Sequence, residues 1–164
     1  MSTIDIVSDI TQIPVSDGSF HVVLCTEVLE HVPDPISALN EMSRILKPGG
    51  MMILTSPFCS LTHFAPYHYA DGFNKYFYEF HFTRLGYQVL EITPNGNYFE
   101  YIAQELFRLP YMAKTHLKKG SFIMKILAFL LRNLIAKTAK NETESSSILC
   151  YGYHVRAVKN EYNC

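Results

Sequence analysis

Residues 20–55 read FHVVLCTEVLEHVPDPISALNEMSRILKPGGMMILT, and this stretch decides the fold. Phe20–Thr26 is a near-continuous apolar run, the pattern of a strand buried on both faces. After Pro33-Asp34-Pro35, the apolar residues Ile36, Leu39, Met42, Ile45 and Leu46 recur at helical spacing, with Asp34 suited to the N-cap and Pro35 to the first helical position. Lys47-Pro48-Gly49-Gly50 stops that helix, and Met51–Thr55 reads as a second buried strand. Strand, helix and strand joined by short links make a right-handed crossover, which implies a parallel sheet.

Outward from this unit the punctuation continues. Ile4–Val7 reads as a short strand running into a loop at Ser8-Asp9, with turns at Pro14 and Asp17-Gly18-Ser19. An aromatic-rich stretch runs from Phe58 to Phe82; its second half reads as a helix ending at Gly86, followed by a strand over Tyr87–Thr93. Tyr98–Leu109 reads as a helix stopped at Pro110, Phe122–Ala139 as a second helix, Asn141–Ser147 as a polar loop and Ile148–Val158 as a final strand. Lys159–Cys164 reads as a frayed end. Residues 1–164 read as one domain with a basic amphipathic helical insert at about 111–140.

Composition excludes several classes. The chain has 164 residues, 48% hydrophobic and 18% charged, with net charge −1. These values fit a globular core and exclude a low-complexity chain. A near-zero net charge gives no general basis for nucleic-acid binding. The longest purely apolar run, Ile126–Leu131, is far shorter than the roughly 20 residues that span a bilayer. The start has neither the basic residues nor the apolar stretch of a signal peptide, so the expected location is cytoplasmic. Cys25, Cys59, Cys150 and Cys164 are widely spaced, which favours reduced thiols over a zinc site. Charge is segregated. Seven of the 14 basic residues and none of the 15 acidic ones lie between Lys114 and Lys140.

Residues 9–50, DITQIPVSDGSFHVVLCTEVLEHVPDPISALNEMSRILKPGG, also carry a family likeness. The order of an acidic residue, "IP", "SF", "EVLEH", "DP" and "LKPGG" resembles class I S-adenosylmethionine-dependent methyltransferases of the small-molecule group. The likeness continues through Ser56-Pro57, the Pro66–Tyr69 stretch and Leu85-Gly86-Tyr87, to about Leu109. It implies a Rossmann-like α/β sheet, mostly parallel with one antiparallel strand near an edge, and S-adenosyl-L-methionine at the strands' carboxyl ends. By resemblance, Asp9 would accept from the adenine amino group and Ile10 would flank the ring. Cys25, Thr26 and Glu27 would face the methionine end, with His31 beside the acceptor as base or positioning group. His63, Tyr67, His68 and Tyr69 would line the side of the small-molecule acceptor. Plainer readings stand beside these. Asp9 could cap a turn, His31 could pack within its own turn, the aromatic loop could be a lid, and Arg44 and Lys47 read as solvated charges. His63 and His68 are five residues apart, not a helical ligand spacing, and no metal is expected.

The departure from the family is as marked. Its glycine-rich cofactor loop has no counterpart in these 164 residues: glycines stand at 18, 49, 50, 72, 86, 96, 120 and 152, with no G-x-G. The sheet is therefore expected to be N-terminally truncated, with an apolar edge beside Phe20–Thr26 that needs a second copy, the local chain or a partner chain. The expected function is methyl transfer to a small molecule; the alternative is a catalytically inactive binding or partner subunit. In the basic helix Lys125 and Arg132 form a narrow polar stripe opposite a broad apolar arc, which suits burial in protein. Contact of 114–140 with an anionic membrane surface is the second reading, and nucleic acid the weakest.

Overall fold

The computed structural model describes residues 5–120 and 122–161. The chain divides into two compact units, one built from the described residues up to Thr93 with those from Gly152, the other from Pro94–Tyr151. The first unit holds β1 (Phe20–Thr26), α1 (Pro35–Ile45), β2 (Leu46–Pro57), α2 (Lys75–Arg84), most of β3 (Tyr87–Asn95) and β4 (Gly152–Lys159). The strands form one mixed sheet in the order β1-β2-β4-β3. β1 runs parallel to β2 and β4 antiparallel to β2, so the sheet has one parallel pair. It is an α/β fold.

The crossover forms where the sequence places it. Asp34 caps α1 by accepting from the Ser37 N–H (2.9 Å) and the Ser37 hydroxyl (2.6 Å), and Pro35 opens the helix. Ala38, Leu39, Met42 and Ile45 are its buried stripe. The helix ends earlier than its punctuation suggests. Leu46 is already extended and paired with Phe20, and the next pair is Val22 with Met51. Lys47-Pro48-Gly49-Gly50 is thus looped out within β2, made feasible by the left-handed Gly49 (φ 73°).

The core alternates along the strands. Met52, Leu54 and Ser56 of β2 lie opposite Ala157, Val155 and Tyr153 of β4, and all six are buried. The alternate positions face the other way and stay open. Val22 is 53% exposed and Leu24 67%, opposite Met51 and Ile53, while His154 and Arg156 continue that face on β4. The expectation of a β1 buried on both faces is therefore corrected. Its apolar run is a half-covered edge strand, and among the described residues no strand pairs with its outer side. Asp5–Ser8 forms no strand, and Lys159, expected in a frayed end, instead closes β4 and donates to the Ser43 and Leu46 carbonyls. Ile4 and residues 162–164 lie outside the described residues.

Arg44 is not a solvated charge. Its guanidinium donates to Glu41 (2.8 and 2.7 Å), to the carbonyls of Ile13 (2.9 Å) and Val15 (2.8 Å), and to Asp17 (2.6 Å). Glu41 in turn accepts from the Ile13 N–H at 2.6 Å. The planar fork satisfies several acceptors at once, which an ammonium could not do. These bonds tie the segment before β1 to α1.

The second unit holds α3 (Tyr98–His116) and α4 (Phe122–Thr138). Asn97 and Glu100 form a reciprocal capping box at the start of α3 (3.0 and 3.2 Å). α3 does not stop at Pro110 but runs through it to His116. Pro110 forfeits one helical hydrogen bond. Packing offsets the loss: Ala113 beyond the proline and Ala128 of α4 are both buried, and Pro110 itself lines the groove between the two helices. α4 is inverted relative to expectation. Its stripe Lys125, Ala128 and Arg132 faces the α3 groove, with Arg132 5.1 Å from the Phe107 ring centroid, while Phe122, Ile123, Leu127, Leu130 and Leu134 are exposed. The final strand starts at Gly152, later than Ile148, because Glu144–Ser147 forms a turn of 3-10 helix.

The Arg44 bonds hold the Glu41 carboxyl at about 2, against an ordinary 4.5. A depressed carboxyl contributes stability above its unfolded value and loses it as pH falls through the folded one. Glu41→Gln is expected to flatten the fall in urea midpoint between pH 4.5 and 2, and Arg44→Ala to lower the midpoint at pH 7.

Candidate functional site

The site is built on the turn that leaves β1. Glu27 adopts a left-handed conformation (φ 52°), uncommon for a residue with a side chain. Two bonds hold it: its N–H donates to the Thr55 carbonyl (2.9 Å), and its Oε1 accepts from the Thr55 hydroxyl (2.8 Å). The carboxyl ends of β1 and β2 are thereby tied together. The reversal sends Leu29–His31 into a single 3-10 turn whose Leu29 and Glu30 are buried.

Glu30 is the unexpected member. It is 0% exposed, and neither carboxylate oxygen has a hydrogen-bond partner among the described residues. Burial, with a smaller push from Glu27, raises its carboxyl above the ordinary range. Its backbone oxygen accepts from the N–H groups of Tyr69 (2.9 Å) and Ala70 (3.2 Å) and so anchors the following loop. That loop brings three imidazoles together. Ring centroids of His31 and His63 lie 4.7 Å apart, His63 and His68 4.7 Å, and His31 and His68 5.9 Å.

The tautomers follow from the partners. His31 Nδ1 lies 2.5 Å from the Tyr67 carbonyl oxygen and His63 Nδ1 2.9 Å from that of Leu61. A carbonyl only accepts, so each ring carries its proton on Nδ1 and presents an Nε2 lone pair. The lone pair of His31 is 3.7 Å from Glu30 Oε1. His68 Nε2 is 3.2 Å from the Ser60 hydroxyl.

The other expected residues are more dispersed. Cys25 is buried, and burial pushes its thiol up to about 11, so it is a packing residue with no thiolate at neutral pH. Thr26 and Glu27 are exposed beside it. Asp9 caps its own turn: Oδ1 accepts from the Thr11 N–H (2.8 Å) and hydroxyl (2.7 Å), bonds that lower its carboxyl pKa. Asp9 also lines a cavity with Gln12, Ile13, Pro14, Glu41 and Arg44, and Ile10 sits in the turn beside it. Tyr67 and Tyr69 are exposed on the histidine loop. The structure thus groups His31 with His63 and His68. Glu30 was legible only as a charge inside the apolar run Val28-Leu29-Glu30-His31-Val32, a pattern that signals a buried and purposeful carboxylate.

Residues 3–54 match the family model of a methyltransferase domain. This segment resembles methyltransferase-domain sequence. A ubiquinone biosynthesis O-methyltransferase from Xanthomonas oryzae pv. oryzae is 51% identical over 39 residues, which cover 24% of this chain and 16% of that protein. An uncharacterized methyltransferase from Mycobacterium sp. is 49% identical over 45 residues, covering 27% and 18%. The matched stretch therefore spans under a fifth of these relatives.

Solved structures resemble the methyltransferase-like fold over more of the chain. One belongs to a complex of the Haloferax volcanii Trm112 methyltransferase activator with a methyltransferase; it is 16% identical with a TM-score of 0.57, over 96% of this chain and 61% of that one. A Galdieria sulphuraria protein described as a sarcosine dimethylglycine methyltransferase is 15% identical with a TM-score of 0.52, over 95% and 58%. The [4+2]-cyclase SpnF is 15% identical with a TM-score of 0.53, over 93% and 54%. At such identities the likeness is one of fold, and a cyclase on the same fold shows that the fold does not set the chemistry.

A carboxyl group whose folded pKa is raised costs stability as pH rises through the unfolded value toward the folded one. Glu30→Gln removes that cost with little change of shape. In metal-free buffer it is expected to raise the urea midpoint at pH 8 more than at pH 5.

Proposed function

We propose that this chain forms the acceptor side of an S-adenosyl-L-methionine-dependent methyltransferase acting on a small molecule. One observation carries the reading: the methyltransferase-domain segment places the Cys25–Glu27 turn and His31 where β1 and β2 end, the position at which open α/β sheets bind ligands. In this reading the four strands are part of a Rossmann-like class I sheet. Asp9 and Ile10 take the adenine, and Cys25, Thr26 and Glu27 flank the methionine end.

His31 is the acceptor-side residue, its ring 4.7 Å from that of His63 and 5.9 Å from that of His68, and Tyr67 and Tyr69 border the acceptor. The likeness to an O-methyltransferase favours an oxygen nucleophile. Methyl transfer is an in-line displacement at sulfur, driven mainly by holding donor and acceptor at near-attack distance. What these residues contribute is therefore position, with His31 available to hold the acceptor's proton.

Isothermal titration of the purified chain with S-adenosylmethionine and S-adenosylhomocysteine tests the reading. Saturable one-site binding is expected, in the range of about 1 µM to 1 mM usual for enzyme substrates. Absence of heat at millimolar cofactor would favour a binding or partner subunit without catalysis.

The remaining surfaces extend the proposal. The outer edge of β1, unpaired among the described residues, is where a second copy or a partner chain would add a strand. Among the described residues no helix is long and apolar enough to cross a membrane. The exposed apolar arc of α4 beside the basic residues of 114–140 instead favours peripheral contact with an anionic membrane, from the cytoplasmic side. Co-sedimentation with phosphatidylserine vesicles is expected, and Leu127→Asp with Leu130→Asp should reduce it about 10-fold or more, since each replaces an exposed apolar side chain that would enter the membrane with a charge the anionic surface repels.

A further inference from the structure

Glu30, His31 and His63 converge on one point, their ligand atoms all lying within 4.8 Å of one another. We propose that these three side chains form a binding site for a first-row divalent transition metal ion. Two independent features point to a ligand there.

The first is the Glu30 carboxylate, fully buried with both oxygens unpartnered among the described residues. Leaving a carboxylate without a hydrogen bond in the interior is costly, and a cation is the partner that removes the cost. His31 does not fill this role, because its nearest approach to Glu30 is 3.7 Å.

The second is the orientation of the imidazoles. Both His31 and His63 donate Nδ1–H to a backbone carbonyl, of Tyr67 (2.5 Å) and Leu61 (2.9 Å). Metal-ligating histidines are held in the same way: the non-ligating nitrogen is anchored to an acceptor, which fixes the tautomer and turns the other lone pair toward the ion. Two histidines built alike, facing one buried carboxylate, are more than a chance cluster of polar groups.

The donor set narrows the ion. Two imidazole nitrogens and one carboxylate oxygen suit Zn²⁺, Fe²⁺, Co²⁺ or Mn²⁺, whereas Mg²⁺ and Ca²⁺ prefer all-oxygen shells. Three protein ligands leave coordination positions open for a substrate oxygen. The fold explains why spacing in the sequence hid the site. Glu30 and His31 are adjacent in a 3-10 turn, and His63 comes from a loop anchored on the Glu30 carbonyl through the Tyr69 and Ala70 amides.

The site shares His31 with the methyl-transfer reading: an ion takes the Nε2 lone pair, so His31 holds the acceptor's proton only in the metal-free chain. Only the use of the ion in activating an acceptor oxygen rests on that reading. The test therefore contains no cofactor. The EDTA-treated, desalted chain is titrated with Zn²⁺ by calorimetry and with Co²⁺ by visible absorption. One ion per chain is expected, with d–d bands of an N/O site and no thiolate-to-cobalt charge transfer. His31→Ala, His63→Ala and Glu30→Gln are each expected to weaken binding at least about 10-fold, the scale on which metal sites respond to loss of supporting groups. His116→Ala, in the other unit, should bind as the unaltered chain does.

Circular dichroism of each variant checks the fold, and His63, a half-buried loop residue, gives a variant outside the core. No binding by the folded chain at millimolar ion would overturn the proposal. So would binding undiminished in any of the three variants, or a charge-transfer band marking a cysteine site.

Discussion

The bond from the Glu27 amide to the Thr55 carbonyl is the point on which the site depends. Parallel strands leave their carboxyl ends side by side with no tight turn to join them. Here the chain leaves β1 through a left-handed residue and is pinned at once to the end of β2. That reversal drives Leu29 and Glu30 inward and leaves His31 at the rim. The Glu30 carbonyl then accepts the Tyr69 and Ala70 amides, so the loop carrying His63 and His68 is registered against the same turn. Backbone hydrogen bonds register the turn and the loop, and the His31 and His63 rings are then held by the Tyr67 and Leu61 carbonyls.

Stability and function pull against each other at this position. Most buried polar groups in proteins find partners, and Glu30 among the described residues does not. Its neighbour Cys25 is buried and unreactive, and Ser56 and Tyr78 share a hydrogen bond within the same interior. Ser56 and Tyr78 satisfy each other, while both Glu30 oxygens lack a hydrogen bond among the described residues and lie close to His31 and His63. A binding site is where such a conflict is retained, because the missing partner is the ligand.

The supporting scaffold is unequal. On the closed face of the sheet, β2 and β4 interleave buried residues, while the face carrying Val22 and Leu24 stays open. Arg44 compensates at the entry to β1 by gathering the carbonyls of Ile13 and Val15 with Glu41 and Asp17. Within the other unit, α3 and α4 line one groove, with Phe107 and Pro110 on one side and Lys125, Ala128 and Arg132 on the other. A helix whose polar stripe faces its neighbour and whose leucines face outward is built to meet a further apolar surface.

Local pattern in the sequence was enough for β1, α1, the strand over Met51–Thr55, the helix ending before Gly86 and the turn of EVLEH, because periodicity and capping act over a few residues. The methyltransferase likeness was legible for the same reason, being carried by one contiguous stretch, 3–54. Tertiary structure decided the rest. Whether an apolar strand is buried depends on what covers it, so Phe20–Thr26 read as buried on both faces and, at the edge expected of it, proved open on one. Whether Pro110 ends a helix depends on packing beyond it, and whether Arg44 is solvated depends on acceptors 27–31 residues away. The grouping of Glu30, His31 and His63 is of the same kind: it needs a reversal, a buried turn and a returning loop, and none of these leaves a fixed spacing in the chain.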